Sequence, residues 1–146
     1  MTKLTQSHLN ALAQVYHKQT YNDENKEAAI LLLRRMARYI AEALQLPKTD
    51  FEIRVNRGGV AGSAEVYLHT TKVYMNFAPS CCGGTFYWRT CDGLKDYGCA
   101  SRHFNRSLPM FVTMADVRKF IDSVAEVAYP VVHQERVNEY YRFLAD

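Results

Sequence analysis

The sequence predicts an α+β fold: one five-stranded antiparallel meander, with N- and C-terminal helices packed on one face. Three observations predict it. Apolar residues recur at helical spacing as far as residue 45. After Pro47 they alternate strictly, one in and one out. After Thr113 they return to helical spacing. The element order is α-α-β-β-β-β-β-α-α. A chain of 146 residues suits a single domain, here 1–146.

Residues 5–19 read as a short helix, with Leu9, Leu12, Ala13 and Tyr16 at helical spacing. Asn22-Asp23-Glu24-Asn25 supplies a cap and an acidic first turn for the next helix, residues 24–45. Ala29, Leu33, Met36, Ile40 and Leu44 line its buried stripe. Ile30, Leu32 and Ala43 widen that stripe, and Arg34, Arg35 and Arg38 face out. Pro47 stops the helix.

The period then becomes two. Phe51, Ile53 and Val55 alternate with Glu52, Arg54 and Asn56. A glycine-rich turn, 57–62, leads to Ala64, Val66 and Leu68, which alternate with Glu65, Tyr67 and His69. Thr70-Thr71 reads as the next turn. Val73, Met75 and Phe77 alternate with Lys72, Tyr74 and Asn76, and a loop from Pro79 to Gly84 follows. Phe86 and Trp88 alternate with Tyr87 and Arg89. Asp92-Gly93 is a two-residue hairpin signal, which puts the fifth strand at 94–99. Thr113 caps a third helix, with Asp116 three residues on. Pro130 separates it from a last helix, 131–144, whose apolar side is Val137, Tyr140, Tyr141 and Leu144.

These turns align the strands in a register that keeps one face apolar. Leu68 faces Val73, Tyr67 faces Tyr74, Arg54 faces Glu65, Glu52 faces Tyr67, and Tyr74 faces Tyr87. Arg89 faces Asp96, and Trp88 faces Tyr97. On the polar face, Tyr67, Tyr74 and Tyr87 then form a central row. His69, Lys72 and Arg89 lie on one side of it and Arg54 on the other. These seven residues are the expected binding surface. The row could be sheet packing alone. It could be a rigid Tyr/Arg protein-binding face. It could stack the bases of single-stranded nucleic acid, although Glu52, Glu65 and Asp96 repel phosphate and the RNP-type motif is missing.

Charge and cysteine narrow the choice. The net charge is +3. It divides as +2 over residues 1–50 (seven Lys/Arg, five Asp/Glu), +3 over 51–108 (seven, four) and −2 over 109–146 (four, six). This is well short of a dedicated nucleic-acid binder. No apolar run approaches the ~18 residues of a membrane span, and the N-terminus lacks the apolar stretch of a signal peptide. A cytoplasmic protein with free thiols is therefore expected. Cys81, Cys82, Cys91 and Cys99 lack the paired spacing of a zinc clamp, so no metal or cofactor is expected. The glycine-rich turn lies between strands and lacks the helix a phosphate loop needs. His69-Thr70-Thr71 fits one copy of the H-x-T motif of two-histidine phosphoesterases, and no second copy exists. A cysteine nucleophile would need a base such as His103 or His69 beside Cys81 or Cys82, and the spacing brings none there. The segment from Pro79 to Pro109 holds all four cysteines and the only Trp, together with Arg89, Arg102, His103 and Arg106. It suggests a hairpin with a basic, aromatic tip.

Gly58-Gly59-Val60-Ala61, Glu65 to Thr70 and Tyr87 to Tyr97 together resemble small uncharacterised proteins of bacteriophages and bacterial mobile elements. The resemblance covers residues 51–100. It implies an accessory protein made in the cytoplasm of a bacterial host. The expected function is therefore non-enzymatic binding: inhibition of a bacterial defence or nucleic-acid-processing complex through the Tyr/Arg sheet face. The contrasting reading is a single-stranded nucleic-acid or nucleotide binder on that same face. A third reading is a Cys/His-dependent enzyme. The partner is a host protein or protein–nucleic-acid complex, with no membrane partner. Pairing of two copies through the open sheet face is the competing use of that surface.

Overall fold

Helix α1 (Gln6–His17) buries Leu9 and Leu12. Helix α2 (Asp23–Ala43) buries Ala29, Ile30, Leu33, Met36 and Ile40, the stripe that its 3.6-residue period dictates. In this computed structural model the described residues are 1–17, 23–57, 64–78, 85–97 and 103–145. Gln45 ends α2 in the left-handed region, with φ 58°. There its own N–H bonds the Glu42 carbonyl at 3.0 Å and the Leu46 N–H bonds the Ala41 carbonyl at 3.1 Å, a Schellman closure. A single 3-10 turn, Lys48–Asp50, leads into the sheet.

The sheet runs β1 (Phe51–Asn56), β2 (Glu65–Thr70), β3 (Val73–Ala78), β4 (Thr85–Thr90) and β5 (Asn105–Pro109). Each strand lies antiparallel beside the next in sequence. Val66, Leu68, Val73, Met75, Phe77, Phe86 and Trp88 are buried on one face, and the helices cover that face. Helix α3 (Met114–Ala128) closes it with a chain of aromatic edges. Phe77 meets Phe86 at 5.1 Å, Phe86 meets Phe111 at 4.9 Å, and Phe111 meets Phe120 at 5.1 Å. Helix α4 (Pro130–Ala145) buries Val132. Tyr140, Tyr141 and Leu144, expected on its packed side, are exposed.

Two sequence expectations are corrected. First, β1–β2, β2–β3 and β3–β4 each pair two residues away from the expected register. Val55 pairs Val66, Leu68 pairs Met75, His69 pairs Tyr74, and Tyr74 pairs Arg89. The cause at β2–β3 is visible. Thr70 is the last residue of the strand, not of the turn. Its hydroxyl accepts the N–H groups of Lys72 at 3.1 Å and Val73 at 2.9 Å, so the turn centres on Thr71-Lys72. Burial fixes which face each residue takes, and a two-residue slip preserves that face.

Second, the fifth strand is Asn105–Pro109, not 94–99. Gly93 does turn the chain, at φ +148°, but residues 91–97 fold back over the polar face instead of pairing with β4. At the end of β4 the Thr90 N–H is taken by the Phe104 carbonyl at 2.9 Å, so the edge pairs with the chain beyond His103. Trp88 therefore faces Arg106, and Tyr87 faces Ser107.

Candidate functional site

The corrected register redistributes the polar face. One row runs Glu52, His69, Tyr74, Arg89, Asn105. The next runs Arg54, Tyr67, Asn76, Tyr87, Ser107. Tyr67 and Tyr87 thus share a row with Asn76 between them, and Tyr74 lies diagonally, its ring 5.7 Å from that of Tyr67. Five of the seven expected site residues, Arg54, Tyr67, His69, Tyr74 and Arg89, meet in one cluster. Tyr87 stands in the outer row, half-buried. Lys72 does not join them. It is exposed in the β2–β3 turn, and its ammonium sits 5.3 Å over the ring of Tyr129, at the start of α4.

The 91–97 segment roofs one end of this cluster. His69 is 0% exposed and Arg89 is 2% exposed, so neither belongs to an open surface. The Arg89 guanidinium donates to the Thr90 carbonyl at 3.0 Å and the Asp96 carbonyl at 2.8 Å, and pairs with the Asp96 carboxylate at 3.4 Å. It also lies 5.0 Å from the centre of the Tyr74 ring. His69 Nε2 bonds the Gly93 carbonyl at 2.9 Å, and the ring edges meet Tyr74 at 4.9 Å and Tyr97 at 5.3 Å. A carbonyl can only accept, so Nε2 carries the proton. Burial pushes the His69 pKa below its ordinary 6.5.

The other end is more open. The Arg54 guanidinium lies between two tyrosine rings, 5.6 Å from Tyr67 and 4.7 Å from Tyr97, the latter 55% exposed. Arg54 Nε and Nη2 are shielded and make no hydrogen bond among the described residues. Glu52 approaches Nε only to 4.0 Å. The Tyr67 hydroxyl donates to the Glu65 carboxylate. Burial first, and that carboxylate next, push Tyr67 up to about 12. Burial likewise raises Tyr74.

Thiol and metal chemistry divide sharply. Cys91 is buried, its Sγ donates to the Thr70 carbonyl at 3.3 Å, and burial pushes its pKa up, the opposite of an activated nucleophile. Cys81, Cys82, Cys99 and the glycine-rich turn lie outside the described residues. Among the described residues one trio can offer metal ligands. Asp92, Asp96 and His103 present donor atoms within 4.8 Å of one another, beside the roof segment. No paired-cysteine or His-x-His spacing announces them, because His103 arrives from the far side of the 91–104 connection. Tyr97 was also missed as a site residue, since the sequence placed it in a strand. Comparison with protein-family models, curated proteins and solved structures finds no match for this chain.

Proposed function

We propose that this protein works by binding a macromolecular partner, in the first place another protein, through the open end of the polar face formed by Arg54, Tyr67, Tyr74, Tyr87 and Tyr97. One observation carries the reading: Arg54 is held between two tyrosine rings, with Nε and Nη2 left without an acceptor among the described residues. A buried donor without a partner costs about 1–3 kcal/mol. A partner that moves the Tyr97 ring aside and supplies a carboxylate or carbonyl recovers that cost. Tyr and Arg are also among the side chains that concentrate interface energy. The resemblance over residues 51–100 nominates a bacterial defence or nucleic-acid-processing complex as the partner, with the protein as its inhibitor.

The test is affinity capture from bacterial lysate with and without nuclease, comparing wild type with Arg54→Ala/Tyr97→Ala. A protein held by wild type and lost by the double variant, with salt dependence weaker than a phosphate contact gives, supports the reading. Equal recovery by both would sink it. Recovery of nucleic acid that nuclease abolishes would favour base stacking on Tyr67 and Tyr97 instead, against which Glu52 and Glu65 on the same face argue by charge.

A further inference from the structure

We infer that Asp92, Asp96 and His103 form a site for one divalent transition-metal cation, Zn²⁺ by ligand type, which clips the roof segment to the start of β5. Three features of the trio carry the inference. The first is the His103 side chain, only 8% exposed, whose Nε2 is buried and makes no hydrogen bond among the described residues. It points at both carboxylates, 3.5 Å from Asp92 Oδ2 and 3.4 Å from Asp96 Oδ2, yet closes a hydrogen bond to neither. The second is the spacing. Tetrahedral metal bonds of about 2.0–2.2 Å to nitrogen and oxygen set neighbouring donors about 3.3–3.6 Å apart. The two measured separations fall in that range.

The third is what stands behind the ring. His103 Nδ1 lies 3.0 Å from the Thr90 hydroxyl, which also accepts the Phe104 N–H at 3.0 Å. A hydroxyl can take a second proton on its remaining lone pair. With Nδ1 donating to Thr90, Nε2 presents its lone pair to the carboxylates, an arrangement that a cation between them resolves. A ligating histidine fixed through its other nitrogen is the usual outer-shell arrangement.

Imidazole with two carboxylates suits Zn²⁺ better than the all-oxygen sets of Mg²⁺ or Ca²⁺. Asp92, 56% exposed, leaves a side open for entry and for water at a fourth position. Arg89 beside Asp96 offsets one of the two carboxylate charges and holds the affinity below that of a closed structural site.

The test uses the full chain, stripped with chelator and kept reduced, titrated with Zn²⁺ by calorimetry and with Co²⁺ by absorption. One equivalent of Zn²⁺ is expected, with a Co²⁺ spectrum free of thiolate charge transfer and a rise in melting temperature. Asp92→Asn and His103→Gln each weaken binding about tenfold or more. Asp92 is half-exposed, so Asp92→Asn reports on the site even if His103→Gln fails to fold. A Cys81→Ser/Cys82→Ser/Cys99→Ser variant keeps the site. No saturable binding by wild type, undiminished binding by Asp92→Asn, or loss of binding in the cysteine variant each overturns the assignment.

Discussion

His69 is closed in by the 91–97 segment, with Nε2 bonded to Gly93 and Nδ1 buried without a hydrogen-bond partner among the described residues. The neutral ring fits this place. A charged one would be desolvated, with Arg54 and Arg89 near it, and that outweighs the Gly93 carbonyl and Glu52, which favour the charge. The folded value lies below the ordinary one, so the sign of the pH effect follows. Between the two values the unfolded chain binds a proton that the folded chain refuses. The His69 contribution is full above pH ~6.5 and falls away as the pH drops below it. Urea denaturation at pH ~7.5 and ~5.5 checks this: wild type loses stability on acidification, and His69→Gln, whose amide can still reach Gly93, loses less. Equal slopes would remove His69 as the cause.

Among the elements, α3 carries the most explicit start signal. Thr113 Oγ1 accepts the Asp116 N–H at 3.3 Å, and the Asp116 carboxylate accepts the N–H groups of Thr113 at 3.0 Å and Val112 at 2.9 Å. These backbone bonds hold the Asp116 carboxyl below its ordinary range. Thr113→Ala is expected to cost about 1 kcal/mol by urea denaturation, and a loss below about 0.3 kcal/mol would show the cap to be redundant. The cap was legible because its partners are three residues apart. The apolar faces of α2 and of the first four strands were legible for the same reason: period alone defines them. Register and β5 were not. Thr70 looks like a turn residue until its hydroxyl is seen closing the turn after it. Asp92-Gly93 carries a hairpin signature, yet the Thr90 N–H at the end of β4 bonds the Phe104 carbonyl instead. The site followed the same division. Arg54, Tyr67 and Tyr74 come together because face parity survives a two-residue slip. The burial of Arg89 and His69 comes from a roof that no periodicity encodes.

Across the whole molecule, the two ends of the chain are tied together. The Gln6 side chain donates to the Val112 carbonyl at 2.8 Å and accepts the Met114 N–H at 3.1 Å, so α1 anchors the first turn of α3. Gln45 at the end of α2 reaches Glu135 on α4 at 2.8 Å. Apolar side chains from α1, α2, α3 and the sheet share one core, which α4 joins through Val132. No described helix is long and apolar enough to cross a membrane. The consecutive strand order also sets a folding sequence. Every strand pair joins neighbours in the chain, so each step closes one loop at an entropic cost set by its length. The steps are unequal: β2 and β3 close over Thr71-Lys72, whereas β5 must wait for the whole 91–104 connection. Its residues are also the most exposed of the sheet. The central hairpin is therefore expected to form early and β5 to dock last, so that native-state amide exchange reaches residues 105–108 well before 66–77. Where the strand that docks last is also the one that opens first, its folding and its local opening become one equilibrium. A cation shared between Asp92, Asp96 and His103 would act as its latch.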